Sequence, residues 1–155
     1  MEQDVAFGVR QLVDAALRGL SPAVNDPYTA VQAIQHLSVV LRTLADRVLT
    51  NETHFDERGI VRVAIPRPDF AMYLRLTCDQ IRRNGAREPA VARGLLRLLT
   101  DVGHLVTTDE RRRAIEAEAR MVLADAERQT FHESELEIVR REAELVFAAT
   151  GQTRR

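Results

Sequence analysis

The sequence has no lysine and no tryptophan, a single cysteine, and aromatic residues at only 5% of its 155 positions. Each scarcity excludes something. One cysteine, Cys78, rules out an internal disulfide, and its place on the apolar side of a helical pattern marks it as a small buried side chain. All 22 basic residues are arginine and are offset by 23 acidic ones, so the net charge is −1. That balance does not advertise a nucleic-acid binder, for which a basic face is the usual requirement, and no nucleic-acid partner is expected. Arg111-Arg112-Arg113 is interleaved with acidic residues and reads as a solvated face. No apolar run approaches the roughly 20 residues of a membrane-spanning helix, because Arg or Asp interrupts each one. The N-terminus carries Glu2 and Asp4 where a secretory leader would be basic. There is no glycine-rich phosphate loop, and Ser21 lacks the strand-turn-helix setting of a hydrolase nucleophile. The four histidines are scattered. His54 and Asp56 could share a metal on a turn, but two ligands are too few for a zinc site. His36, His104 and His132 fall on helix faces or caps.

What the chain does have is helical periodicity almost throughout. Val5, Val9, Leu12, Ala16 and Leu20 form one face of a first helix, while Phe7 and Leu17 lie on the other side. A helix apolar on two sides is expected at the centre of its domain. Its polar residues Arg10, Asp14 and Arg18 then form a narrow stripe. Asp26 and Pro27 open a second helix as N-cap and first residue. Its apolar repeat runs from Ala30 to Val48, so it should end near Leu49. After Thr50 the period becomes two, and residues 54–66 read as a short β-hairpin closed by Pro66 and Pro68. Asp69 caps a third helix that stops at Asn84-Gly85. Pro89 opens a fourth. Thr107 to Glu110 and Ser134 to Glu137 are capping boxes for a fifth and a sixth. The expected architecture is a mostly α bundle of about six helices with one short hairpin between helices two and three. It forms a single soluble domain over residues 1–150, with a disordered tail over 151–155.

The segment from Gln3 to Leu37 carries a more specific likeness. Phe7, Gly8, Arg10 to Asp14, Leu20 to Pro22, Asn25 to Pro27, Thr29 and Ala30 match the signature of the bacterial predicted membrane proteins grouped as domain of unknown function 2254. Gly19 departs from it, standing where that family usually has alanine. The later "PRPDF" and "DQIRRNGAREPAV" also resemble family segments, so the likeness reaches about Leu99. It implies that this chain corresponds to the part following a membrane-embedded region, which would be a partner in the full-length protein, and that it sits at the cytoplasmic face of the membrane. It implies no reaction.

The candidate site gathers around the connection Arg18 to Ala30. Ala23 and Val24 are expected to turn inward, making the loop a plug. Asn25 should then reach a buried Arg10–Asp14 pair, since a buried charge needs a partner. The candidate network, for a ligand or for structure, is Arg10, Asp14, Ser21, Asn25, Asp26, Asp79 and Arg82. Arg10, Arg75 and Arg82 could clamp an anion. Alternatively, Asp14, Asn25, Asp26 and Asp79 offer hard oxygen ligands for a divalent ion in a metal-dependent hydrolase. The preferred function is an accessory module of a membrane protein, serving assembly or small-ligand sensing. The long apolar faces of the second and fourth helices lead us to expect a homo-oligomer.

Overall fold

A computed structural model describes residues 5–49, 52–65, 68–129 and 131–151. These form, in order, α1 Val5–Gly19, α2 Pro27–Ala45, β1 Glu52–Phe55, β2 Val61–Ile65, α3 Phe70–Asn84, α4 Pro89–Gly103, α5 Asp109–Glu127 and α6 Glu133–Gly151. The fold is mostly α, with six packed helices among the described residues. Gly151, expected in the tail, is the last residue of α6. The remainder of that tail, together with Thr50 and Pro66, lies outside the described residues.

The centre belongs to α4, not to α1. Among the described residues, helix α4 packs against α2, α3, α5 and α6, whereas α1 meets α2 and α3 alone. The reason is the width of the apolar arc. Val91, Ala92, Leu95, Leu96, Leu98, Leu99 and Val102 of α4 are all buried, so this helix must be covered on most sides. Helix α1 buries one stripe, Ala6, Val9, Val13 and Ala16, and leaves Phe7 59% exposed. The core is aliphatic, built on Ile34, Leu37, Leu41, Leu74, Ile81, Leu95, Leu99 and Ile115. Cys78 is fully buried within it, as its position in the pattern requires.

Local signals account for most helix ends. Asp69 accepts a hydrogen bond from the Met72 N–H at 2.7 Å, and Pro89 stands at the start of α4. Two caps fall one or two residues from their expected places. Thr108 rather than Thr107 caps α5 by accepting from the Arg111 N–H. Helix α6 begins at Glu133, where the Glu135 carboxylate accepts from the His132 N–H at 3.2 Å, so the Ser134–Glu137 box is not used. Helix α2 stops at Ala45, four residues early, and Val48 is exposed. Gly85 ends α3 for a steric reason: a Cβ there would lie 2.5 Å from Val91 Cγ1.

Strands β1 and β2 pair antiparallel, Glu52 opposite Ile65, with an irregularity at His54 and Phe55. The Asp56 side chain organises the turn, accepting from the Arg58 and Ile60 N–H groups and from Arg62. These bonds hold its carboxyl below the usual carboxylate range. No helix packs on this ribbon among the described residues.

Candidate functional site

The α1–α2 connection satisfies itself. The Ser21 carbonyl accepts from the Val24 and Asn25 N–H groups, and the Ser21 hydroxyl donates to the Arg18 carbonyl at 2.8 Å. The Asp26 N–H donates to the Gly19 carbonyl at 2.7 Å, closing the turn onto the end of α1. Asn25 takes a positive φ of 48°, a conformation that asparagine tolerates better than most residues. Asp26 performs the expected capping. Its carboxylate accepts from the Thr29 N–H at 3.2 Å and from the Thr29 hydroxyl at 2.5 Å. Those bonds lower its pKa.

The plug does not exist. Ala23 and Val24 face solvent, with Val24 59% exposed. Arg10, Asp14 and Asn25 are exposed as well, and no hydrogen bond or ion pair joins them. The expectation failed because the loop's polar groups are already spent on its own backbone, leaving nothing to recruit the stripe. Nor do the proposed metal ligands form a cluster. Among the described residues no three His, Cys, Asp or Glu side chains are placed to hold an ion.

The other two candidates, Asp79 and Arg82, belong to a different cluster between α3 and α5. The Arg82 side chain is only 10% exposed. It pairs closely with Asp125 and more loosely with Asp79 at 3.5 Å. Beside them Glu118 is 3% exposed, and its Oε2, like the Thr77 Oγ1, has no hydrogen-bond partner. Burial raises the Glu118 pKa and the Asp79 charge adds to the rise, while Arg82 and Arg75 oppose it. Burial likewise pushes the Cys78 thiol well up, which makes it a poor nucleophile. This arrangement ties α3 to α5. Glu118 was legible in principle, because it shares the apolar stripe of Ile115, Ala119 and Val122. Asp125, seven residues on from Glu118, lies at the edge of the same stripe.

Two grooves flank α2. One, of about 650 Å³, lies between α1 and α2 and is lined chiefly by Val5, Phe7, Gly8, Leu12, Val39 and Val40. The other, of about 310 Å³, lies between α2 and α4 and combines an apolar floor, Val31 and Leu98 among it, with the polar side chains of Gln35, Ser38, Arg42, Arg93, Arg97 and Asp101. Val39, 62% exposed, lines both. Sequence reasoning missed both grooves, since spacing within one helix does not show which neighbour stops short of covering it.

The described residues form a six-helix unit with surface grooves on either side of Val39 in α2. The chain belongs to the DUF2254 family of predicted membrane proteins, whose family model matches residues 1–101. It is 45% identical over 139 residues to the uncharacterized proteins Rv1290c and MT1328 of Mycobacterium tuberculosis and Mb1321c of Mycobacterium bovis. Each match covers 90% of this chain and 27% of the relative, so the chain spans about a quarter of those proteins' length. No solved structure matches it. Among the described residues no helix is long and apolar enough to cross a membrane.

Proposed function

We propose that this domain is a cytoplasmic assembly module of a membrane protein, and that its α1–α2 face meets a second copy of itself. The observation that carries the reading is Gly8. A glycine inside a helix costs about 1 kcal/mol relative to alanine. A Cβ at Gly8 would meet nothing within 4 Å, so nothing described in the chain requires the residue to be that small. Beside it Phe7 projects from the rim of a groove roomy enough for an aromatic ring. A knob and a hole on one patch are self-complementary, which is what a twofold interface needs. In such a pair each Phe7 ring would enter the other copy's groove over Gly8.

Sedimentation velocity tests this. The chain should dimerise at micromolar concentration, and Phe7→Glu and Gly8→Leu should each give a monomer with unchanged helical circular dichroism. A wild-type monomer at tens of micromolar would overturn the reading. Protease digestion of the full-length protein in inverted vesicles, but not in intact cells, would support the cytoplasmic placement.

A further inference from the structure

We infer that the α2–α4 groove is a binding site for a small phosphoryl anion, with Arg93 as its principal ligand. This does not depend on the assembly reading, which concerns the other groove of α2.

Helix α4 brings Arg93, Arg97 and Asp101 to the groove at four-residue intervals, so the three lie on one face. Helix α2 supplies Gln35, Ser38 and Arg42 on the facing wall. The two helices run in the same direction, because Gly94 packs against Ile34 while Asp101 accepts from the Ser38 hydroxyl one to two turns further on. Gln35 is therefore level with the Arg93 end.

The charges in the groove are unevenly answered. Arg97 pairs with Glu142 of α6 at 2.9 Å, and Asp101 takes the Ser38 hydroxyl at 3.2 Å. Arg93 has neither an ion pair nor a hydrogen bond, and its Nε is buried without an acceptor. Arg42 has no partner either. A buried guanidinium N–H left without an acceptor is costly. The wall therefore presents an unanswered donor on Arg93 with the Gln35 amide level with it, while the one lining carboxylate, Asp101, lies one to two turns further on and the exposed Arg42 lies beyond it. A phosphoryl group has three acceptor oxygens, and guanidinium forks match its geometry. A volume of about 310 Å³ admits a small phosphomonoester. The same chemistry could come from a free metabolite or from the headgroup of a phosphatidic acid.

The test is titration of the ¹⁵N-labelled chain with inorganic phosphate and with glycerol 3-phosphate, at ionic strength held constant with chloride, following the Arg93 Nε–Hε resonance. A second arm measures co-sedimentation with phosphatidylcholine vesicles with and without phosphatidic acid. We expect saturable binding that Arg93→Gln weakens at least about tenfold. Arg42→Gln should weaken it less, and Arg10→Gln, outside the groove, not at all. Arg93→Lys keeps the charge without the fork and should fall between wild type and Arg93→Gln. Saturation by the soluble anions assigns a free ligand; Arg93-dependent binding to acidic vesicles alone assigns a headgroup. If neither arm saturates, or if a folded Arg93→Gln binds as wild type does, the proposal is wrong.

Discussion

The guanidinium of Arg111, near the start of α5, donates to the carbonyl of Ala45, the last residue of α2, at 2.6 Å. It also donates to the Arg47 carbonyl at 2.8 Å and lies 5.0 Å from the centre of the Phe70 ring, the first residue of α3. One side chain thus satisfies carbonyls that the end of α2 leaves unpaired and joins three helix termini. It is also a reason why α2 stops where it does. Arg111→Ala should cost about 2 to 3 kcal/mol, because it leaves those carbonyls without a donor and removes the ring contact. Arg111→Lys should recover less than half, having no fork. Arg113→Ala, two residues on and exposed, should be within about 0.5 kcal/mol of wild type. Urea melts of the three variants check the order.

The two arginine and aspartate sets should separate cleanly. Arg10→Ala and Asp14→Ala remove solvated groups and should each change stability by less than about 0.5 kcal/mol. Arg82→Ala takes from the largely buried Asp125 its closest partner, leaving it the exposed Arg128 at 3.2 Å, and should cost on the order of 2 kcal/mol. Equal costs in denaturant melts would contradict the geometry.

Glu118 gives a pH dependence of definite sign. Its folded-state pKa is raised from the ordinary 4.5 by burial and by Asp79. The unfolded chain therefore releases this proton more readily than the folded one. Its contribution to stability is fully present below about pH 4.5 and is lost as pH rises through the higher folded value. Glu118→Gln keeps the shape and removes the ionisation. It should be more stable than wild type at pH 7, on the order of 1 kcal/mol, and the gap should close toward pH 4.5. Melting temperatures of both proteins across pH 4.5 to 8 test this; a constant gap would mean that Glu118 is not the source.

Gly85→Ala should cost about 1 to 2 kcal/mol, since the new methyl meets Val91 Cγ1 and overlaps it. Made in a Val91→Ala background, Gly85→Ala should cost less than it does in wild type. An equal cost in both backgrounds would place the strain in the backbone instead.

Much of this fold is legible because its signals are local. Asp26 and Asp69 cap helices by bonding to residues three positions ahead, and Pro89 and Gly85 mark ends through their own backbone or sterics. The hydrophobic period places Leu95 and Leu99 inside with equal directness. What misleads is whatever depends on a neighbour. Phe7 and Leu17 on the far side of α1 suggested a central helix, but Phe7 is 59% exposed. Arg111 looked like one of three solvated arginines, and its partners lie 64 and 66 positions away. Asp79 and Arg82 were expected in one network with the loop before α2, whereas they belong to a cluster completed by Asp125, 43 positions beyond Arg82.

The exposed side chain of Val39 has a consequence of its own. It is a wall of the apolar groove on one side of α2 and of the arginine-lined groove on the other. An occupant of either groove that reaches Val39 would touch the same isopropyl group, so its rotamer would be shared between the two grooves. Whatever free energy a ligand on the α4 side lends to, or withholds from, contact on the α1 side must be returned in full in the reverse direction. A single branched aliphatic side chain, too small to count as a site, is where two otherwise separate surfaces would exchange information.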